Sequence, residues 1–185
     1  GTDGEYRLYI PNEEIRACFR AKIKEFWEIN PVMKNNTSQM INGLFGGDPA
    51  AVEYSLNELL AKYVSIRDFA TNAPKENYYH GFMNGLLVIN RSLIAEQKSN
   101  FESGNGYVDL IVKSKRNRSI VVILELKQTD DESADKVLLA EDAMDQIILR
   151  KYADPYIKRN DITAVFSYGI CFCKKECSVV GRKLK

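Results

Sequence analysis

Apolar residues recur along the chain with two different periods, and the change from one to the other divides it. From Asn12, a favourable N-cap followed by Glu13 and Glu14, apolar side chains at Ile15, Cys18, Phe19, Ile23, Phe26 and Trp27 follow helical spacing, with Pro31 beyond the end. Residues 35–45 read as a short helix closed by Gly46 and Gly47. Asp48 caps the next, with Pro49 at its first position and an apolar face of Val52, Leu56, Leu59, Leu60 and Tyr63. Residues 1–70 are thus expected to form a helical N-terminal region. From Pro74 onward the pattern mixes periods: a buried helix over 76–90, strands over 93–101, 106–113 and 119–127, a helix over 133–152 ended by Pro155, and strands over 162–173 and 177–180. SIVVILELK, at 119–127, is dense in β-branched residues and reads as a central, buried strand. The order predicts an α/β (α+β) core over residues 71–185, a central sheet flanked by helices.

Composition narrows the chemistry. The chain has 185 residues, 45% of them hydrophobic and 28% charged, which suits a packed core rather than disorder. Lys plus Arg number 26 and Asp plus Glu 25, so it is not a strongly basic wrapping protein, although a local basic patch remains open. A single histidine, His80, excludes a two-His zinc site, an HExxH protease and a His-Asp phosphodiesterase. No run of about 18 apolar residues predicts a membrane span. The start, GTDGEYRLYIPNEE, carries no signal-peptide pattern and reads as an internal boundary of a longer protein. The four cysteines, Cys18, Cys171, Cys173 and Cys177, are then expected to be reduced thiols of a cytoplasmic protein. Their spacing fits packing better than a zinc knuckle. GLFGG, at 43–47, lacks the lysine of a P-loop, so the chain is not a self-contained ATPase.

The polar residues that break the apolar strands carry the chemistry. Glu125 and Lys127 alternate with Leu124 and Leu126, which puts both on one face at the end of the central strand. Unpaired burial would cost several kcal/mol, so they have partners or lie at an open rim. Asp109 interrupts the preceding strand, and a hairpin folded about residues 116–117 sets it opposite residue 124 or 125. Two adjacent carboxylates raise each other's pKa unless a cation lies between them. A hard divalent ion, Mg²⁺ or Mn²⁺, suits these oxygen ligands, and Lys127 beside it could orient a water or stabilise charge on phosphorus. The bland alternative is an Asp/Glu/Lys salt-bridge cluster without metal.

The order of these elements around Asp109 and Glu125-Leu126-Lys127 resembles the PD-(D/E)xK nuclease superfamily with its restriction-endonuclease-like fold. YYHGFMNGLL at 78–87, SNFESGNGYVDLIV at 99–112, VVILELK at 121–127, DQIILRKYADPY at 145–156 and YGICFCKKECSVV at 168–180 resemble one family within it. That family is the nuclease-like domain at the C-terminus of bacterial AAA-ATPase-like proteins. Residues 5–19 resemble the linker and first helix that follow the ATPase part, so the resemblance covers nearly the whole chain.

The resemblance implies a divalent-metal-dependent nuclease acting on DNA. Asp109 and Glu125 would be ligands of Mg²⁺ or Mn²⁺, and Lys127 the catalytic lysine. Glu76 and His80 match an acid and a histidine on the first core helix, and Glu102 an acidic position before the Asp strand. Glu76 could join the metal site directly or through water; Glu102 could equally be a solvated loop acid, and His80 a packing or surface residue. Gln146 fits a glutamine of the following helix. A tyrosine four residues beyond it is replaced by Arg150, which leaves Tyr152 as the nearest match. An arginine often found just before the Asp strand is replaced near Tyr107, a change that would weaken phosphate contact. Lys113, Lys115, Arg116 and Arg118 read either as a solvated turn or as contacts to a nucleic-acid backbone. The competing function is a catalytically inactive module that binds nucleic acid or protein for an attached ATPase-like part.

Overall fold

The computed structural model describes residues 31–65 and 75–185, apart from the side chains of 31–33. The helix expected from Asn12 onward lies outside them. Helix α1 (Pro31–Gly46) starts at Pro31, four residues earlier than the apolar pattern suggests. Proline is tolerated at a first helical position, where its missing N–H has no intrahelical acceptor to lose. Helix α2 (Pro49–Tyr63) begins as its sequence dictates: Asp48 accepts a hydrogen bond from the backbone N–H of Ala51 at 3.0 Å. Helix α3 (Lys75–Ile89) follows.

Five strands form one sheet in sequential order: β1 (Ile94–Ser103), β2 (Gly106–Ser114), β3 (Ile120–Gln128), β4 (Ala164–Cys173) and β5 (Glu176–Lys183). Neighbours are antiparallel except β3 and β4, which are parallel and joined through α4 (Lys136–Leu149) and the short α5 (Asp154–Ile157). The sheet is therefore mixed and flanked by helices, as expected. Helix α4 is shorter than its sequence suggests. Asp131 folds back on Ser133, leaving Asp135 to cap Val137 and Leu138, and Lys151 turns left-handed at φ 57° just past the end. Pro155 then opens α5 instead of ending α4.

The two faces of the sheet have different coverings. Tyr168 of β4 donates to the carbonyls of Gly43 and Leu44 of α1, and Phe172 stacks on Tyr79 of α3 at 4.5 Å. Tyr79 is buried, and its hydroxyl donates to the carbonyl of Lys174 at 2.8 Å. The other face packs Val121, Ile123 and Val165 against Met144 and Ile147 of α4. Cys171 and Cys173 alternate toward the α4 face, whereas Cys177 pairs opposite Phe172. All three are free and buried, and burial pushes their thiols up, Cys171 to about 11.

Contact between α4 and the sheet is closest at Gly169. A Cβ there would lie 2.0 Å from the carbonyl oxygen of Ala140 and 2.7 Å from the backbone nitrogen of Met144. Gly169 is also the register partner of Glu125. The missing side chain therefore sets how closely the helix bearing Gln146 approaches the strand bearing Glu125 and Lys127. Gly169→Ala is expected to cost about 3 kcal/mol or more, because backbone rather than a flexible side chain must move. Chemical denaturation measures it, and an unchanged midpoint would contradict this packing.

Candidate active site

Strands β2 and β3 pair from Lys113↔Val121 to Leu110↔Leu124, and the ladder ends there. Continued by one step, the register sets Asp109 against Glu125, as the hairpin geometry of the sequence anticipates. At this point the backbone N–H of Leu126 donates to Oδ2 of Asp109 at 2.7 Å instead of to a strand carbonyl. The end of the ladder thus turns one carboxylate toward the other strand. Opposite Asp109 on β1, Asn100 is left-handed at φ 48°, a conformation asparagine tolerates better than most residues.

Glu125 is 4% exposed. One of its oxygens, Oε1, accepts from Nε2 of Gln146, while Oε2 is buried with no hydrogen-bond partner. Oε1 of Gln146 in turn accepts from Nζ of Lys127 at 2.7 Å. Gln146 thereby fixes the carboxylate and the ammonium of alternate residues on β3 at one place. Burial, and next the charge of Asp109, push the Glu125 carboxyl up to about 8, with Lys127 opposing. Burial also raises Asp109 above its ordinary value, more than the Leu126 N–H and the charges of His80 and Lys127 lower it. The charge of Asp109 disfavours ionisation of Glu125, and that of Glu76 disfavours ionisation of both; a bound cation relieves such repulsion.

Helix α3 contributes a flank. Glu76, in its first turn, adds negative potential at both carboxylates. One turn on, Nε2 of His80 lies 3.3 Å from the carbonyl oxygen of Asp109 and 3.2 Å from Oγ of Ser99. Asn84 donates to Ser99 and accepts from Gln97. Helical spacing alone could place Glu76, His80 and Asn84 on one face; that Ser99 and Gln97 join them depends on β1, and no local pattern marks those two.

Several sequence candidates lie elsewhere. Glu102 is exposed and pairs with Tyr107 near the β1–β2 turn, and among the described residues no hydrogen bond ties it to Asp109 or Glu125. Tyr152 is 2% exposed in the cluster of Val108, Met144 and Ile147, on the side away from solvent. Lys113, Lys115, Arg116 and Arg118 occupy the far end of the β2–β3 hairpin. That end is about six residues from Asp109, about 20 Å along a strand. Among the described residues, no three His, Cys, Asp or Glu side chains converge as a complete metal cage. The protein offers a cation two carboxylates. Two carboxylates can hold a hard divalent ion that keeps several of its waters.

A hairpin carrying Asp109, a central strand carrying Glu125-Leu126-Lys127 and a βαβ crossover to a parallel strand define a nuclease-type α+β domain. Residues 74–181, more than half of the chain, match the PD-(D/E)XK nuclease superfamily, and the chain belongs to it. No curated protein and no solved structure matches. Among the described residues no helix is long and apolar enough to cross a membrane.

Proposed function

We propose that the domain is a divalent-metal-dependent phosphodiesterase that hydrolyses DNA. The observation that carries this reading is the buried, unpartnered Oε2 of Glu125 beside Asp109. A buried carboxyl whose ionisation Asp109 disfavours, and which has one orphaned oxygen, is unfavourable as an anion alone and favourable beside a cation. Asp109 and Glu125 would hold Mg²⁺ or Mn²⁺, with Glu76 contributing through water. When bound, the ion supplies Lewis-acid polarisation of phosphate and lowers the pKa of a water. Lys127, its ammonium aimed by Gln146, places positive charge where negative charge grows on the phosphate in the transition state. His80 holds the backbone of Asp109, and so positions a ligand rather than reacting.

The basic turn at 113–118 would act as a phosphate contact at a distance. About 20 Å spans roughly six base pairs of duplex, so these residues would grip the backbone away from the cut. The competing module without catalysis is less well supported, because Asp109, Glu125 and Lys127 are all present and Gln146 is organised around two of them. The resemblance at 5–19 supports an upstream ATPase-like part that delivers nucleic acid to this domain. Free thiols at Cys171, Cys173 and Cys177 support a reducing, cytoplasmic setting.

The metal site has its own test. Calorimetric titration with Mn²⁺ is expected to show binding that Asp109→Asn weakens at least about tenfold. Because the Glu125 carboxyl titrates near 8, binding at pH 7 displaces its proton, and affinity rises with pH up to that value. Titrations in buffers of different ionisation enthalpy detect the proton. Binding that is insensitive to Asp109→Asn would overturn the ligand assignment.

A further inference from the structure

We infer that Tyr107 is a stacking platform for an unpaired base beside the scissile phosphate, so that the substrates of this site are nucleic acids with unpaired nucleotides: single strands, overhangs and flaps. The inference rests on the phosphodiesterase reading for the position of the phosphate, and it deepens that reading.

Tyr107 is 67% exposed, although it lies within strand β2 only two residues before Asp109. Two residues of strand span about 7 Å, roughly the distance between adjacent phosphates of a nucleic-acid strand. Its neighbours fix the direction of the side chain. Val108 is fully buried in the cluster with Tyr152, and a Cβ on Gly106 would face the Tyr152 hydroxyl at 3.1 Å. Tyr107 alternates with both, and so turns away from that core.

The platform is held rigidly. The N–H of Asn105 donates to the carbonyl of Arg150 at 2.7 Å, and Ser103 Oγ donates to the carbonyl of Tyr152 at 2.8 Å. Gly104, at φ 58°, fits against the carbonyls of Arg150 and Lys151, where any Cβ would clash at 2.4 Å. The β1–β2 turn, and with it the backbone that carries Tyr107, is therefore fastened to the end of α4. An aromatic face stacks on a base face, and within a duplex both faces of each base are already covered by their neighbours. Only an unpaired or terminal base presents a free face. Glu102, the cross-strand partner of Tyr107, disfavours a phosphate at the ring and so leaves the base as the group that fits there.

The test is fluorescence anisotropy with a labelled oligothymidylate and a labelled blunt hairpin duplex. It is run with Mn²⁺ in the Lys127→Ala background, so that neither probe is cut. Tyr107→Ala is expected to weaken single-strand binding about 5- to 100-fold and to leave duplex binding within about twofold. Tyr107→Phe keeps the aromatic face and is expected to stay near the parent, while Tyr107→Leu behaves as Tyr107→Ala. Thermal melting of each variant is expected to match the parent, given the exposure of the side chain. Absent single-strand binding in the parent, unchanged affinity in Tyr107→Ala, or an equal loss for both probes would overturn the platform. The phosphodiesterase reading fails separately: Tyr107-dependent single-strand binding by a protein whose wild type never cleaves keeps the platform and removes the chemistry.

Discussion

Lys127→Ala is expected to lower DNA cleavage by about 10²–10³-fold or more while the protein folds and binds Mn²⁺ much as before. The magnitude is that of removing one organised group that stabilises transition-state charge. Lys127 is half-buried at the end of β3, and its ammonium has a single described partner, Oε1 of Gln146 at 2.7 Å. Removing it frees one neutral acceptor at an open rim, a loss of about 1 kcal/mol or less. Its charge opposes both protonation of Glu125 and a bound divalent ion, so its removal is not expected to weaken metal binding. Lys127→Arg is not expected to restore activity, since a planar guanidinium cannot occupy the position of a compact ammonium. Cleavage at the wild-type rate by Lys127→Ala would remove the residue from the chemistry.

Glu125→Gln is expected to abolish metal-dependent cleavage and, in the absence of metal, to stabilise the protein at alkaline pH. The sign follows from the raised pKa. Below the ordinary carboxyl value near 4.5 the group is protonated in both the folded and the unfolded chain and has no effect. Between that value and about 8 the unfolded chain has ionised while the folded one retains its proton, so folding loses stability as pH rises through this window. The loss is of order 4 kcal/mol by pH 8, or about 10 °C in melting temperature for a domain of this size. The amide introduced by the substitution cannot ionise, and its oxygen still accepts from Gln146. The melting difference between wild type and Glu125→Gln is expected to grow from near zero at pH 4.5 to its maximum at pH 8. Saturating Mn²⁺ is expected to raise the melting temperature of the wild type alone. A difference that does not vary with pH would show that Glu125 is not held protonated by its surroundings.

The strands and their order were legible because each half of the core carries its own period. The dense β-branched run at 120–128 and the alternating run at 106–114 fixed both the hairpin and, through its turn, the opposition of Asp109 and Glu125. Element ends were less legible where two caps compete. Ser133 and Asp135 could each begin α4, and tertiary context selected Asp135. Gln146 reached the site because α4 presses on Gly169, a contact that involves residues far apart in sequence. Tyr152 shares the helix-end segment with Gln146 and is equally plausible as a string of letters. The left-handed turn at Lys151 sends it into the core instead. The exposure of Tyr107 is a tertiary property: the packing of Val108 and Gly106 on the opposite side shows which way it turns.

The most direct measurement is cleavage of plasmid and single-stranded DNA by the wild-type protein with Mg²⁺ or Mn²⁺, beside EDTA and Asp109→Asn controls. Cleavage is expected to require the ion and to disappear in both controls. Cleavage that persists in EDTA, or an intact substrate under conditions where calorimetry shows the ion bound at Asp109, would contradict it.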